Sequence, residues 1–332
     1  MKKILYAVQA TGNGHIARAI EIVPYLQQYG EVHVFLSGNN SSLNPSLPVK
    51  YTSKGLSLFY RKSGDLNYAR ILSQVKLHKL YKEAQKLPVD KYDLVINDFE
   101  FICALACKLK KVPMIHLGHQ ASFKSKKVPR PKRKDPMGEW LLENYCRSKR
   151  NIGFHFEPYE PWILPPVIKE SLWKASPSDN GHITVYLPHY SELDQLKYFS
   201  SINRIKFQIF SPHIIEAKTD LNIEWYPINN QQFTESMIHA HGVICGAGFE
   251  TPAEALFLKK KLMVVPIQGQ YEQFCNAAAL EKMGVSVVPR LDVYFGSKVS
   301  KWYKTEVNYD VKTQFLPTKE IIKQVMEIAK EL

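Results

Sequence analysis

The stretch that decides the fold runs from Val243 to Asn276 and reads VICGAGFETPAEALFLKKKLMVVPIQGQYEQFCN. Its first apolar run ends at Gly246-Ala247-Gly248, a helix is predicted from about Thr251-Pro252, and a second apolar run covers Leu262–Pro266. A strand, a glycine turn, a helix and a further strand, in that order, are how an open parallel sheet builds a site for an anion. The stretch therefore predicts an α/β protein with a parallel sheet.

The glycine turn and the helix start suit a phosphate group. Glycine lets the backbone approach a ligand closely, and the first amides of a helix lack partners within it and carry the positive end of its dipole. The same residues also match a capping box, with Thr251 as the N-cap, Pro252 at the first helical position and Glu254 bonding back to the cap. From the sequence alone, Glu254 could either bind the ligand or cap the helix.

The N-terminus repeats the pattern of a strand followed by a glycine turn. Lys3–Ala10 is predicted as a strand, and Gly12-Asn13-Gly14-His15 leads into a helix. With Ala17 this turn has the spacing of a dinucleotide fingerprint, which would need an acidic residue at the end of the second strand to bind NAD. That position reads Ser37-Gly38-Asn39, without an acid, so a nicotinamide enzyme is not predicted.

Together the two motifs resemble the GT-B glycosyltransferases, a class that includes the bacterial enzyme adding N-acetylglucosamine to the lipid-linked peptidoglycan precursor. Gly12–Arg18 matches the Gly-x-Gly-His-x-x-Arg motif of that class, and Val243–Asn276 resembles its donor half. The resemblance implies two Rossmann-like parallel-sheet domains facing a cleft, with a C-terminal helix that returns to the first domain. We expect an acceptor-side domain at 1–172 and a nucleotide-sugar domain at 173–332, because the proline-rich stretch 157–177 suits a connection.

The resemblance also implies roles for individual residues. Gly248 and Thr251 would hold the diphosphate of the donor, Glu254 the ribose, and Glu272 with Gln273 the sugar. The complete predicted donor set is Gly14, Asn229, Gly246, Gly248, Phe249, Glu250, Thr251, Glu254, Gln270, Glu272, Gln273 and Asn276. The predicted acceptor-side set is Gly12, Asn13, Arg18, Glu100 and Gln120. The loop Gly-Gln-Tyr-Glu-Gln is one residue shorter than in the peptidoglycan enzyme.

Glycosyl transfer requires amides or cations at the leaving phosphate and a base at the acceptor hydroxyl. His15 is the first candidate for the base because an imidazole titrates near neutral pH, and Asp98 and His119 are the alternatives. All three follow predicted strands, at the edge where parallel sheets bind ligands. Cys and His show no metal-ligand spacing, so we expect no metal and no cofactor apart from the nucleotide-sugar substrate, UDP-type by resemblance. The resemblance further implies inversion at the anomeric carbon.

Two other functions stay open at this point. A nucleotide-sugar 2-epimerase would use the same fold and would need extra carboxylates around the sugar, for which Asp98, Glu100 and Glu272 are available. A module that binds a nucleotide sugar or a charged polymer without catalysis would need only the binding residues. Turnover of a nucleotide sugar, its interconversion, or binding without turnover separates the three functions.

Composition and charge limit the partners. A chain of 332 residues suggests about two domains, and the formal charge of +13 favours anionic partners. The densest basic run is Lys124–Lys134, KSKKVPRPKRK, where Pro129 and Pro131 predict a loop. The run is either a solvated loop or a clamp for an anionic, lipid-linked acceptor or for an acidic membrane surface. Nucleic acid is not expected, because only Phe123 and Trp140 flank the run with aromatic rings.

Cysteine usage and hydropathy suggest the compartment. Five cysteines without a Cys-x-x-Cys pair predict reduced thiols, and no apolar run approaches the roughly 20 residues that cross a bilayer. The apolar run after Met1-Lys2-Lys3 is too short for a signal peptide and is assigned to the first strand. The sequence predicts a cytoplasmic protein, which would lie at the inner face of the membrane if the basic run Lys124–Lys134 is a clamp and not a solvated loop.

Overall fold

The computed structural model describes residues 1–10, 12–38, 46–55, 77–306 and 308–331. Asn39 and Leu332, which enter two of the sequence predictions, lie outside these ranges. The chain divides into two compact units, and the first comprises Met1–Val128, Lys134–Glu170 and Thr313–Leu332. The second comprises Pro129–Arg133 and Ser171–Lys312. The change of unit after residue 170 falls inside the proline-rich stretch, and the C-terminal helix belongs to the first unit.

The secondary structure alternates between strands and helices. The strands are β1 (Lys3–Gln9), β2 (Glu31–Ser37), β3 (Val49–Ser53), β4 (Leu94–Asp98), β5 (Ile115–Gly118), β6 (Arg150–Phe154), β7 (Ile163–Leu164), β8 (His182–Tyr186), β9 (Lys206–Ser211), β10 (Lys218–Asp220), β11 (Ile223–Pro227), β12 (Gly242–Cys245), β13 (Lys261–Val264) and β14 (Ser286–Val287). The helices are α1 (Asn13–Leu26), α2 (Leu77–Lys86), α3 (Phe101–Lys110), α4 (Pro136–Asn144), α5 (Glu170–Trp173), α6 (Glu192–Phe199), α7 (Asn230–His239), α8 (Glu250–Phe257), α9 (Tyr271–Lys282), α10 (Phe295–Lys304) and α11 (Thr318–Ala329).

The first unit is built on a parallel sheet of order β3-β2-β1-β4-β5-β6-β7 in the described part of the chain. The strand order reverses between β1 and β4, whose register pairs Val8 with Asp98. Ligands of open α/β sheets bind at such a reversal, beyond the carboxyl ends of the strands. The start of α1 and the end of β4 therefore meet at the place where this architecture forms sites.

Helix α11 packs against α1 within the first unit. Its buried face consists of Ile321, Ile322, Val325 and Met326, with Thr318 buried at its start. The spacing of these residues gives one apolar stripe along a helix, which predicts burial against a neighbouring element. The resemblance to the GT-B class implied this return of the last helix to the first domain.

The second unit has the strand order β10-β11-β9-β8-β12-β13-β14, and every pair is parallel except β10 with β11. Its reversal lies between β8 and β12, where Cys245 pairs with Tyr186 on one side and with Val264 of β13 on the other. The core beneath this sheet includes the fully buried rings of Phe199, Phe207 and Trp225. Two Rossmann-like parallel-sheet units confirm the predicted fold class.

None of the helices in the described ranges is both long and apolar enough to cross a membrane. All five cysteines of the chain are free thiols in buried positions: Cys103, Cys107, Cys146, Cys245 and Cys275. Burial raises the pKa of Cys146 and Cys245 well above the usual range for a thiol, which keeps both protonated.

Candidate functional site

His15 lies beside a buried ion pair in the first unit. Its Nδ1 atom is 2.9 Å from Oδ1 of Asp98, the last residue of β4. Arg18, one turn further along α1, donates from Nε to Oδ2 at 2.9 Å and from Nη2 to Oδ1 at 2.8 Å. Asp98 is fully buried and Arg18 is 4% exposed, whereas the side chain of His15 is 15% exposed. The three predicted residues therefore form one cluster, and only His15 faces outward.

The cluster fixes the charge of Asp98. Burial alone would raise the pKa of this carboxyl, but the Arg18 guanidinium and the His15 ring, through charge and hydrogen bonds, outweigh burial and hold the pKa well below its usual range. Tyr6 donates its hydroxyl to Oδ2 at 3.4 Å, and burial raises the pKa of that phenol. Asp98 is thus a permanent anion, which orients its neighbours and makes a poor proton acceptor.

The position of the ring hydrogen on His15 decides what the ring can do. Nδ1 lies between Oδ1 of Asp98 and Nη2 of Arg18, the latter at 3.0 Å. Arg18 already donates from Nη2 to Asp98, and a carboxylate is the stronger acceptor. We therefore assign the hydrogen to Nδ1, donated to Asp98. Nε2 then keeps its lone pair and can accept a proton.

Gly118 makes room for the Asp98 carboxylate. This glycine ends β5, next to β4, and a Cβ built on it would lie 2.5 Å from Oδ1 of Asp98. Its backbone is extended, so crowding and not backbone strain excludes a side chain here. Position 118 therefore requires glycine because a side chain there would collide with Oδ1 of Asp98, the oxygen that contacts His15.

His119 and Gln120 are both buried, at 1% and 4% exposure. Nδ1 of His119 donates to the carbonyl of Phe154 at 2.9 Å, and the ring lies 5.0 Å from Phe123 and 5.2 Å from His155. This aromatic environment fits a packing role for His119. Of the three base candidates, His15 is the one whose surroundings suit proton transfer.

Glu100, predicted on the acceptor side, caps a helix. Its two carboxylate oxygens accept from the amides of Ile102 at 2.9 Å and Cys103 at 2.5 Å, the first turn of α3. The side chain is fully buried, and burial raises its pKa to about 7, although the two amides act in the opposite direction. The backbone of Glu100 is also fixed, because its N–H donates a hydrogen bond to Oδ1 of Asn97 at 2.7 Å.

The remaining predicted residues of the first unit form the start of α1. Gly12 is the N-cap, without a side chain to cap it, and Asn13 and Gly14 are the first two helical residues. A Cβ on Gly12 would meet no atom of the described residues within 4 Å. No described side chain therefore crowds this helix end, one turn before His15.

In the second unit, the helix after the glycine turn begins earlier than the capping box predicted. α8 starts at Glu250 with Phe249 at the N-cap, so Thr251 and Pro252 lie within its first turn. The capping-box prediction is wrong, because Glu254 is the fifth helical residue, 4% exposed, too far along the helix to reach the cap. The first amides of an α-helix have no carbonyl partner within the helix. At the start of α8 the side chain of the N-cap residue Phe249 makes no hydrogen bond to these amides either.

The glycine turn is held from α9. Nδ2 of Asn276, a fully buried side chain, donates to the carbonyl of Ala247 at 3.0 Å. Oε1 of Gln273 accepts from the amide of Ile267 at 3.0 Å and would lie 3.5 Å from a Cβ on Gly246. These bonds place the two donor motifs of the sequence side by side. Asn276 positions the turn, since its amide group is bonded to the backbone there.

The start of α9 adds polar groups at the same edge of the sheet. Gln270 is its N-cap residue, and its Oε1 accepts from Nε2 of Gln273 at 3.0 Å. Glu272 is the second helical residue and is half-buried. A Cβ on Gly248 would meet no atom within 4 Å in the described part of the chain, so space for a ligand adjoins the glycine turn there. Asn229 is the N-cap of α7, where its side chain accepts from the amide of Gln232 at 3.0 Å.

Sequence reasoning missed one residue at this edge. His189 follows β8 by three residues, and the amide of Gly246 donates to the carbonyl of Tyr186 at 3.2 Å, which joins the end of β8 to the glycine turn. His189 is an exposed residue whose ring lies 4.4 Å from that of Tyr190, and desolvation by its neighbours lowers its pKa to about 4. The sequence could have indicated His189 only by its position after a strand at the reversal of the sheet, because no glycine motif precedes it.

The fold and the two clusters define the class of protein, a GT-B glycosyltransferase. Residues 2–295 match glycosyl transferase family 1, and the chain belongs to that family. Membership of this family makes it a glycosyltransferase. The 2-epimerase is not favoured, and two of the three carboxylates invoked for it, Asp98 and Glu100, are bonded to Arg18 and to a helix start.

Solved structures share the fold over nearly the whole chain. Arabidopsis thaliana UGT89C1 in complex with UDP is 15% identical, with 99% of this chain and 94% of that chain covered and a TM-score of 0.60. The glycosyltransferase VinC in complex with dTDP is 14% identical, with 99% and 100% covered and a TM-score of 0.54. The spinosyn forosaminyltransferase SpnP is 12% identical, with 99% of both chains covered and a TM-score of 0.57. A comparison with curated proteins gives no match.

Proposed function

We propose that this protein transfers a sugar from a UDP-type nucleotide sugar to an acceptor hydroxyl, with His15 as the general base. The observation that supports this most is the orientation of His15 by Asp98, which is itself neutralised by Arg18. Nε2 of His15 removes the proton of the hydroxyl as its oxygen attacks the anomeric carbon. The bond from that carbon to the diphosphate breaks, and its electron pair leaves with the phosphate oxygen. A single displacement of this kind inverts the anomeric centre.

The second unit would bind the donor. The amides and the dipole at the start of α8 stabilise the negative charge that grows on the leaving diphosphate. Glu254 and Glu272 take ribose and sugar hydroxyls, and Gln270 with Gln273 completes the sugar site. Because the helix end supplies the positive potential, the reaction as proposed uses no resident metal and no cofactor, so a chelator leaves the rate unchanged.

The acceptor is proposed to be anionic or lipid-linked, as for the peptidoglycan transferase that the sequence resembles. The chain carries +13, and the basic run Lys124–Lys134 includes exposed side chains at Lys126, Lys127 and 132–134. A cytoplasmic site with peripheral contact at the inner face of the membrane would suit such an acceptor, and the five free thiols are compatible with that compartment.

The test is nucleotide release from a panel of UDP-, dTDP- and GDP-sugars, followed by transfer to candidate acceptors. His15→Ala should abolish transfer while nucleotide affinity, measured by calorimetry, stays within about twofold of wild type, since His15 lies outside the donor unit. His33→Ala, which removes a partly buried histidine of β2 in the same unit, is the matched control. Full turnover by His15→Ala would overturn the assignment of the base.

A further inference from the structure

Helix α4 presents an apolar face to solvent. Asp135 caps it by accepting from the amide of Met137 at 3.0 Å, and Gly138 with Leu142 forms its buried side. On the other side Met137 is 45% exposed and Trp140 57% exposed. Residues three apart share one face of a helix, so the two side chains form a single apolar patch. Trp is among the residues that a folded chain usually buries to a large extent, which makes this exposure informative.

The segment around this helix is strongly basic. Residues 124–150 contain ten lysines and arginines and three acids, so this segment holds +7 of the formal charge of +13. One of the bases, Lys127, is paired with Glu160 at 3.0 Å. Arg147 and Lys149, which follow α4, are exposed. The apolar patch is therefore flanked in sequence by positive charge on both sides.

A basic pocket lies at the end of the same helix. It encloses about 400 Å³ and is lined by Lys124, Glu143, Arg147, Ser148 and Lys149. Lys124 is only partly exposed and donates its Nζ to the carbonyl of Glu143, while Arg147 bonds to the side chain of Asn144. Three cations and one carboxylate leave the pocket positive. Glu143 is three residues after Trp140, so the pocket and the apolar patch adjoin along one helix.

We propose that this face of the first unit docks on an anionic lipid bilayer, with Trp140 and Met137 entering the interface and the pocket binding a lipid phosphate. Indole rings favour the boundary between headgroups and acyl chains, because one end of the ring is polar and the rest is apolar. A basic rim around an apolar helix face is the pattern of an interfacial helix. An isolated aromatic beside a methionine does not provide the stacked platform that single-stranded nucleic acid needs.

The inference deepens the proposed lipid-linked acceptor, but its test does not depend on transfer. Full-length protein is sedimented with vesicles of phosphatidylcholine alone and with vesicles in which one third is phosphatidylglycerol. Binding should require the anionic lipid and weaken as salt rises. Each basic residue near such a surface contributes about fivefold to the binding constant. Arg147→Glu with Lys149→Glu should therefore lower binding by well over tenfold.

Matched variants separate the site from general charge and general hydrophobicity. Lys301→Glu with Lys304→Glu changes the net charge equally on exposed lysines of α10 and should bind almost as wild type. Trp140→Ala should bind about tenfold more weakly. Leu193→Ala removes an exposed apolar residue (77%) between Glu192 and Asp194 and should have no effect.

Insertion is read directly from fluorescence. Brominated lipids should quench part of the tryptophan emission of the wild type, and Trp140→Phe should lose that quenching while keeping its binding. Melting temperatures confirm that each variant folds. Equal binding by Trp140→Ala and wild type, or equal loss in the Lys301/Lys304 control, would overturn the proposal, as would binding of a single-stranded oligonucleotide in preference to vesicles. Failure of sugar transfer with intact vesicle binding would contradict the proposed function alone.

Discussion

Oδ1 of Asp98 accepts hydrogen bonds from two different residues of one helix turn, with Nδ1 of His15 at 2.9 Å and Nη2 of Arg18 at 2.8 Å. The carboxylate is buried at the end of β4, and both partners lie in α1. Charge neutralisation by Arg18 lets a buried carboxylate persist, and the carboxylate in turn fixes the ring of His15. Several outcomes depend on this arrangement.

Replacing the Asp98 carboxylate by an amide should remove activity and lower stability. In Asp98→Asn the Arg18 guanidinium stays buried without its counter-charge, which costs about 3–5 kcal/mol. The amide can also turn the His15 ring to the other tautomer, so kcat should fall by roughly 10²–10⁴. Urea unfolding and steady-state kinetics measure the two effects.

Asp90→Asn is the control for that change, because it breaks an exposed ion pair with Lys110 in the same unit. It should leave kcat unchanged. Wild-type stability for Asp98→Asn would show that the buried pair is not coupled as described.

A methyl group at position 118 should disturb the same cluster from the neighbouring strand. The Cβ of Gly118→Ala would press on Oδ1 of Asp98 at 2.5 Å, so the carboxylate must move. Overpacking of this kind costs about 1–3 kcal/mol, and kcat should fall because His15 loses its orientation. Gly12→Ala, where a Cβ meets nothing within 4 Å, is expected to keep more activity and stability. The thermal midpoint and kcat decide the comparison.

The glycine turn of the second unit should behave differently from Gly118. A Cβ on Gly248 meets nothing within 4 Å, so Gly248→Ala should keep the melting temperature of the wild type. A diphosphate at the start of α8 would occupy that space, and nucleotide affinity should fall by about tenfold or more. Calorimetric titration with UDP measures the loss. Unchanged affinity would place the diphosphate elsewhere.

Glu100 should make stability depend on pH. Its folded pKa is raised to about 7 from an ordinary value of 4.5, so its contribution is fully present below the unfolded pKa and is lost as pH rises through the folded pKa. The free energy of unfolding should therefore fall between about pH 4.5 and pH 7, by up to about 3 kcal/mol from this group. Glu100→Gln should flatten that part of the profile. An identical slope in the variant would show that another group titrates there.

His189 is expected to assist the donor although no motif marks it. Desolvation by neighbouring residues lowers the pKa of its ring to about 4, which favours the neutral form, and His189 follows the strand next to the glycine turn. A hydrogen bond to the donor would contribute about 0.5–1.5 kcal/mol, so His189→Ala should weaken UDP binding by roughly two- to tenfold. His239→Ala, on the helix α7 of the same unit, is the control and should bind UDP normally. Equal UDP affinities of His189→Ala and the wild type would show that His189 does not contact the donor.

The fold could be predicted because its elements have strong local signals. Alternating apolar runs and glycine turns located β1, β2, β12 and the start of α1 to within a few residues. Short strands gave no such signal: β7 and β14 have two residues each, and β7 lies in the proline-rich stretch. Such strands are held by their neighbours and not by their own propensity.

The sequence identified many residues that lie at the candidate site, but it did not predict the role of each one. Arg18 and Glu100 were expected to face the acceptor, whereas one neutralises Asp98 and the other caps α3. The sequence places both at the correct edge of the sheet, but the side-chain partners depend on distances across three elements. Gly118 illustrates the same limit, since the need for glycine arises from an oxygen twenty residues earlier.

The return of α11 to α1 has a consequence for biosynthesis. Ile321, Ile322 and Val325 cover apolar surface of the first unit, yet they are synthesised only after the whole second unit. Until α11 emerges from the ribosome, part of the apolar surface of the first unit stays exposed to solvent. Nascent chains arrested before residue 318 should therefore recruit chaperones to the apolar surface of α1 that α11 covers in the complete chain.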